Sequence, residues 1–396
     1  GELGPGATRL KCMEPTRSTR PVVAVIGGGQ LARMMQESAI ALGIELRPLV
    51  EAPDTSTALV VASSTVGLPK NDELVRTLVE GADVLTFEHE HIPQALLAQL
   101  EGSLAIEPRA HALLYAQDKL AMRERLTQMG APCPRWARID TLEHLQAFGD
   151  ECGWPLIVKT PTGGYDGRGV RVVHKAEDVA EWFGKGPLLA EEFVPFVSEV
   201  AALCARRPSG QIKSWPVATS EQVDGVCSVV TAPAFGVRPE TLEAARELGE
   251  RIAEELGVTG VLAVEMFVVG EGDDEHVLVN ELAMRPHNTG HWTIDGAVTS
   301  QFEQHLRAVL DLPLGSTELR VPGSSCVMVN LLGSSFPCPA RALGQALEGH
   351  PEAKVHIYSK AVRPGRKLGH VTVVDADPAR ARAEAEAVVT ALRGQV

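Results

Sequence analysis

Two apolar runs of this chain each carry one carboxylate. Val261–Val269 holds Glu265, and the run ending at Ala283 holds Glu281. Between them lies Gly270-Glu271-Gly272-Asp273-Asp274, the composition of a hairpin turn. An antiparallel pairing centred near Asp273 sets Glu265 opposite Glu281, with Ala263, Phe267, Val279 and Ala283 expected on the same face. Carboxylates roughly 5 Å apart across a ladder repel, and burial without a partner pushes such a group toward its neutral form. A divalent cation between them resolves the conflict, and hard oxygen ligands suit magnesium, with manganese as the alternative ion. An ordinary hairpin with each carboxylate paired to Lys or Arg is the competing reading, and a bulge would shift the register by a residue. The polar run that follows, Arg285-Pro286-His287-Asn288-Thr289-Gly290-His291-Trp292, is too rich in function for folding alone to require it.

Other segments could handle phosphate. Thr162-Gly163-Gly164-Tyr165-Asp166-Gly167-Arg168-Gly169 joins two strands with four glycines, more than a hairpin needs. Free amides in such a loop suit a polyphosphate, and the loop can serve as a lid. It lacks the spacing of a Walker loop. Lys159 ends the apolar strand that enters the loop, where an unpartnered charge is unexpected, and Lys119 lies earlier in Gln117-Asp118-Lys119. Gly27-x-Gly29-x-x-Ala32, with Glu51 about twenty residues on, fits the dinucleotide fingerprint apart from its alanine, and by itself supports a nicotinamide or flavin enzyme. Glu88-His89-Glu90-His91 alternates on a strand end, so at most two of the four share a face; a loop contact to substrate fits it better than a metal.

These residues need a scaffold. Strands are predicted at Pro21–Ile26, Glu45–Val50, around Val60, Val61 and Val66, and at Val84–Phe87. Helical patterns lie between them, one of them burying Met34, Met35, Ala39 and Leu42. This alternation predicts a parallel α/β sheet. Helix is expected around Arg109–Met129, strands at Trp154–Lys159, Gly169–Val173 and Leu188–Phe193, and an amphipathic helix over Glu240–Leu256. Ser300–Leu310 reads as a helix, residues 312–315 as a linker, and the rest as a small α/β unit with strands near Cys326–Leu331 and His370–Val374 and a last helix from Pro378 to Leu392.

The 396 residues carry a net charge of −14, which argues against nucleic acid as a main partner, so an anionic substrate must be drawn by local cations. Seven cysteines without a C-x-x-C spacing read as reduced thiols with no zinc site, and no apolar run reaches membrane-spanning length. A cytoplasmic location follows as an expectation. The first twenty residues lack an apolar core, are expected to be disordered, and include Met13 as a candidate start.

Taken in order from Val22 onward, the motifs resemble the ATP-grasp enzymes, and within them the N5-carboxyaminoimidazole ribonucleotide synthetases of purine biosynthesis. The resemblance rests on Gly-Gly-Gly-Gln30-Leu31, Phe87-Glu88, Gln117-Asp118-Lys119, Gly-Gly-Tyr165-Asp166-Gly, Glu191-Glu192-Phe193-Val194, Asn280-Glu281, Arg285-Pro-His-Asn-x-Gly-His-Trp and Lys360-x-x-Arg363-Pro-Gly-Arg366-Lys367. Ala32, Met284 and Arg168 depart from the usual glycine, proline and lysine. The resemblance implies a multidomain α/β (α+β) ATP-grasp fold. Its parts would be a disordered extension (1–20), a Rossmann-like domain (21–125), an ATP-grasp domain (126–315, with a lid at about 130–187) and a small C-terminal domain (316–396).

The same resemblance implies an ATP-dependent carbon–nitrogen ligase that carboxylates 5-aminoimidazole ribonucleotide with bicarbonate, through carboxyphosphate, as a cytoplasmic homodimer with no nucleic-acid or membrane partner. Lys119, Lys159, Gly164, Gly167, Arg168, Glu191, Glu192, Phe193, Val194, Glu199 and Asn280 would bind ATP, with Glu199 on the ribose. Glu265 and Glu281 would hold magnesium. Gln30, Leu31, Glu88, Lys360, Arg366 and Lys367 would surround the ribonucleotide, with Tyr165 and Asp166 near it. Arg285, His287 and Asn288 would activate bicarbonate, with Asp166 or His287 as the base. Another ATP-grasp ligase, a formyl-phosphate-type transformylase, an NAD-dependent oxidoreductase and a non-catalytic nucleotide module are the alternatives.

Overall fold

A computed structural model describes residues 19–164, 168–223 and 226–396. Tyr165, Asp166 and Gly167, the tip of the glycine-rich loop, lie outside the described residues, as does most of the N-terminal extension.

The first sheet is wholly parallel, in the order β3-β2-β1-β4-β5, from β1 (Val22–Ile26), β2 (Glu45–Val50), β3 (Thr65–Val66), β4 (Val84–Phe87) and β5 (Ala105–Ile106). Its central strand, Val-Val-Ala-Val-Ile, is buried throughout, as a parallel strand covered on both faces must be. Helices α1 (Gln30–Leu42), α2 (Asp72–Leu78) and α3 (Gln94–Leu100) connect the strands. Two readings need correction here. Val60 and Val61 are not in a strand: the chain after β2 runs in turns, pinned where Thr57 Oγ1 donates to Gly29 O (2.6 Å) and Ser56 Oγ to Tyr358 O (2.5 Å). Leu42, at the end of α1, is exposed.

The helical stretch after β5 is two helices, α4 (Ala110–Gln117) and α5 (Lys119–Gln128), broken at Asp118, whose extended backbone leaves its carboxylate free to cap the Leu120 and Ala121 amides. That break makes Lys119 the first residue of α5, where its amide donates to Pro161 O at the mouth of the glycine loop (2.9 Å). A four-stranded sheet follows, in the order β6-β9-β7-β8: β6 (Trp136–Ile139), β7 (Leu156–Lys159), β8 (Val170–Val173) and β9 (Leu188–Glu192), with α6 (Leu142–Cys152) against it.

The third sheet is the largest, with nine strands among the described residues. It holds β10 (Ser198–Arg206), β11 (Ile212–Ser214), β12 (Ala218–Val223), β13 (Val226–Ala232), β14 (Gly260–Val269), β15 (His276–Ala283), β16 (Ser325–Leu332), β17 (Lys354–Ile357) and β18 (Lys367–Asp375). Helices α7 (Pro239–Leu256), α8 (Thr293–Gly296), α9 (Gln301–Val309), α10 (Leu343–Ala346) and α11 (Pro378–Arg393) pack on it. The pairing of β13 with β16 carries this sheet without interruption into the C-terminal segment. Residues 312–315, read as a linker, are held down: Gly315 and Gln304 exchange two 2.8 Å hydrogen bonds, and Leu314 is buried.

Helix α9 also fastens the first sheet to the third. Its Phe302, Leu306 and Val309 share a core with Met35 and Val25, and His305 bridges the two sheets. The Val261 amide donates to His305 Nδ1 (3.0 Å), so the ring proton sits on Nε2, against Thr86 Oγ1 (2.8 Å). Burial pushes this imidazole from its usual 6.5 down to about 3. Below pH 6.5 the unfolded chain therefore takes up a proton that the folded chain refuses until about pH 3, so this contribution is complete above pH 6.5 and is lost as pH falls. Urea denaturation between pH 7.5 and 5 should show stability dropping with pH, and His305→Gln should remove from that slope up to about 1.4 kcal/mol per pH unit.

Candidate functional site

The three sheets meet around one cleft of about 1580 Å³. Glu265 and Glu281 stand directly opposite each other on β14 and β15, in the register expected from the sequence. Immediately beyond them the pairing slips: Met266 faces Val279, leaving Asn280 as the extra residue of a β-bulge. The slip corrects one expectation, because Val279 falls on the opposite face and joins Val264 and Met266 in the core. It also turns Asn280 toward the cleft beside Glu281. Burial, and then the Glu281 charge, push the Glu265 carboxyl up to about 8. A divalent cation between the two carboxylates would relieve that repulsion, and the donor set fits magnesium. Among the described residues no three His, Cys, Asp or Glu side chains converge on a metal position. Two carboxylates, with further positions left to phosphate oxygens and water, is how magnesium is commonly held.

Lys159 ends β7 with its ammonium in this corner. It lies 2.6 Å from Glu191, 3.3 Å from Asn280 Oδ1 and 3.8 Å from Glu281. Glu191 lines the cleft with its carboxylate engaged inside the protein. Its carboxylate is buried between Lys159 and Arg123, which reaches it at 2.5 Å. Burial alone would raise the Glu191 carboxyl, but the two cations outweigh it and hold it below its usual range. Glu192 accepts the Arg135 amide (2.8 Å), Phe193 is half exposed and Val194 buried, all three on the cleft wall. Lys119, Gly164 and Arg168 line the same end, with Lys119 Nζ 3.5 Å from the point a Gly164 side chain would occupy. Glu199 on β10 pairs with Phe267, two pairs along from the Ala201–Glu265 pair, and is not among the described residues lining the cleft.

The other end is built from the Arg285–His291 segment, the first sheet and the loop before β18. Arg285 Nε lies 2.9 Å from Glu90, whose segment was expected to contact substrate. Burial alone would loosen the guanidinium proton, but Glu90 outweighs it. His287 Nδ1 accepts the Thr289 amide (3.3 Å) and lies 2.7 Å from Thr289 Oγ1, so the neutral ring carries its proton on Nε2, 3.5 Å from Glu265. Burial, then Arg285 and Lys367, push it down to about 3. Neither amide atom of the buried Asn288 side chain has a hydrogen-bond partner among the described residues, although Asn288 lines the cleft. An amide so placed suits a ligand that supplies both a donor and an acceptor. Gln30 and Leu31 close this end with Lys360, Arg366 and Lys367. The loop is folded on itself by Lys360 Nζ donating to Lys367 O (3.1 Å) and Arg366 Nη1 to Ala361 O (2.8 Å). With Arg363 it gathers four cations on one wall of an otherwise acidic protein.

Glu88 stands at the same end of the cleft and also serves the fold. Its carboxylate lines the cleft, but its two oxygens accept the Gly29 (2.7 Å) and Ala32 (2.8 Å) amides at the start of α1. Those are the amides that a dinucleotide pyrophosphate would need, so the Gly27–Ala32 fingerprint is occupied from within the protein. It also explains Gly29, because a Cβ there would sit 2.7 Å from Glu88 Oε1. Gly29→Ala should cost about 1–3 kcal/mol of stability by overpacking, measurable by chemical denaturation.

Sequence alone carries no signal strong enough to single out Arg123, and it places Glu90, Arg363 and His291 in functional segments without an individual role. Arg123 had a faint signal: it falls four residues after Lys119, between Met122 and Leu126, so a charge lies on a helix face otherwise bound for the core. His291 is buried and stacks on His370 with ring centroids 4.9 Å apart. No helix among the described residues is long and apolar enough to cross a membrane.

Three family models match the chain in succession: a ribonucleotide synthetase preATP-grasp domain over residues 21–117, an ATP-grasp domain over 124–302, and a phosphoribosylaminoimidazole carboxylase C-terminal domain over 326–384. The N5-carboxyaminoimidazole ribonucleotide synthase of Mycobacterium tuberculosis is 46% identical over 376 residues, covering 92% of this chain and 86% of that protein. That of Corynebacterium ammoniagenes is 46% identical, with 92% and 90% covered. Among solved structures, the N5-carboxyaminoimidazole synthase of Aspergillus clavatus in complex with ADP and 5-aminoimidazole ribonucleotide superposes with a TM-score of 0.85 at 32% identity, over 94% of this chain and 98% of that one.

Proposed function

Because the chain belongs to the N5-carboxyaminoimidazole ribonucleotide synthases, an ATP-grasp family, we propose how its own residues divide the work of that reaction. The protein is an ATP-dependent ligase that joins a carboxyl group to the amine of 5-aminoimidazole ribonucleotide. The observation that carries the assignment is the Glu265–Glu281 pair facing Lys159 at one end of a cleft whose other end holds Arg285 and Asn288.

Bicarbonate is a poor electrophile, since its leaving group would be hydroxide. Phosphorylation gives carboxyphosphate, whose leaving group is phosphate. Lys119 and Lys159 hold the nucleotide phosphates, and Phe193 and Val194 face the base. Glu265, Glu281 and Asn280 would hold magnesium, which when bound neutralises charge on the transferring phosphoryl group. Arg285, oriented by Glu90, offers a forked donor to bicarbonate, and Asn288 supplies the free amide. Lys360, Arg363, Arg366 and Lys367 receive the phosphate of the ribonucleotide. Carboxyphosphate hydrolyses readily, so water must be kept out, and the glycine-rich sequence of residues 163–169 suits a lid for that purpose. We carry the homodimer as part of this reading, with sedimentation as its test.

The base that accepts the amine proton is Asp166 in this reading, not His287. The His287 Nδ1 lone pair is already taken by the Thr289 amide, and its Nε2 carries a proton to donate. Asp166→Asn should therefore lower kcat by about 10²–10⁴-fold. His287→Gln, which keeps a donor near the same place, should stay within about tenfold of wild type. The reverse order of losses in steady-state rates would exchange the two roles. The assignment as a whole is tested by ADP release with each acceptor omitted: turnover should need both bicarbonate and the ribonucleotide, and equal ADP release without the ribonucleotide would defeat it.

A further inference from the structure

Arg123 is fully buried on α5, one turn beyond Lys119 on the same face. Its guanidinium reaches three groups on two different strands. Nε donates to Glu191 on β9 (2.5 Å), Nη1 to Val279 O (2.8 Å) and Nη2 to Asn280 O (2.7 Å) on β15. Successive carbonyls of a regular strand point in opposite directions, so one side chain cannot collect both. Here it can, because residue 280 is the bulge. A bulge interrupts the ladder and leaves backbone groups needing other partners, and Arg123 meets that need at this position.

We infer that Arg123 is a positioning residue that sets the phosphate-binding lysine and the metal-binding carboxylates as one unit. On one side it fixes Glu191, whose other oxygen holds Lys159 at 2.6 Å. On the other it clamps the bulge that turns Asn280 and Glu281 toward that same ammonium, at 3.3 and 3.8 Å. Lys159 rises from the four-stranded sheet and Glu281 from the nine-stranded one, and Arg123 binds both frames. Stability is a weak reason for such a group, since burying ions is costly even when they are paired. The segment between α5 and β6 is tied to the same bulge: the Val279 amide donates to Pro132 O (2.8 Å), and Arg123 Nη1 donates to Cys133 Sγ (3.7 Å).

The inference rests on the roles proposed above for Lys159, Glu265 and Glu281, so the experiment carries controls for those roles. Steady-state kinetics and Mg2+ titration are run on R123K beside K159M and E281Q. R123M/E191M is included as the variant that leaves neither an arginine nor a glutamate charge in the core. A lysine cannot span Glu191 and two carbonyls. R123K should lose about 10²-fold in kcat, the scale of a small misplacement of reacting groups. It should also need about tenfold more Mg2+ for half-saturation. Its KM for the ribonucleotide should equal that of wild type. R123M/E191M should fold and show the same kinetic loss. An arginine serving the fold alone would lower the melting temperature and the active fraction, with kcat per active site and Mg2+ half-saturation unchanged. That result, or full activity of R123M/E191M, overturns the inference. Wild-type rates in K159M and E281Q would remove the underlying roles as well, whereas inactive controls beside a wild-type R123K remove the inference alone.

Discussion

Glu281→Gln lowers kcat/KM for ATP by about 10³-fold, about 4 kcal/mol of transition-state stabilisation, and leaves the fold standing. The substitution keeps the size and hydrogen-bonding reach of a side chain that is 35% exposed, so packing on β15 is preserved. It removes one of two facing carboxylates, and with it the charge that would hold magnesium beside Lys159. Glu265 loses the repulsion that helps to raise its carboxyl, so its neighbours are relieved while the chemistry is disabled. A melting temperature within about 2 °C of wild type, beside the rate loss, separates this from unfolding. A variant that turns over normally would return the Glu pair to the rank of an ordinary hairpin.

Arg285 carries the second large effect. Arg285→Lys keeps the charge but replaces a planar fork with a point donor, and the two are not equivalent toward a carboxylate-shaped ligand. We expect about a 10²-fold fall in kcat/KM for bicarbonate, expressed mainly as a raised KM, with ADP affinity unchanged, since Lys119 and Lys159 are the residues proposed to hold the nucleotide phosphates. Arg285→Leu should be worse in a different way. It leaves Glu90 largely buried without its 2.9 Å partner, adding about 1–3 kcal/mol of destabilisation. Bicarbonate saturation curves and thermal melts together distinguish the two variants. Loss of ADP binding instead of bicarbonate dependence would place Arg285 with the nucleotide.

The hairpin was legible because its parts are local. Two apolar runs, a turn of glycines and acids, and one carboxylate per run specify a face and a register within twenty-odd residues. The bulge was not, because the group that stabilises it is Arg123, 157 positions away from Asn280. The same distance argument covers Glu88 and Glu191. Each sits in a motif that points to a ligand, yet the carboxylate of each is bound by a residue from another element: the Gly29 and Ala32 amides for Glu88, Arg123 and Lys159 for Glu191. Composition told that these carboxylates matter; it could not tell whether each faces substrate or holds its neighbours in place. The C-terminal strands were readable one by one from their β-branched runs, but the β13–β16 pairing that joins them to the central sheet depends on contacts a hundred residues apart in the chain and carries no local signal. Tertiary hydrogen bonds also decided against Val60 and Val61, whose strand propensity gave way to a turn held by Ser56 and Thr57.

The central claim is that this cleft transfers the terminal phosphoryl group of ATP to an oxygen of bicarbonate before the amine is carboxylated. A single turnover with 18O-labelled bicarbonate tests it most directly. The geometry of Lys159, the Glu265–Glu281 pair and Arg285 predicts inorganic phosphate carrying one labelled oxygen for every ADP formed. Unlabelled phosphate released together with the carboxylated product would contradict it, because the phosphoryl group would then have gone to water.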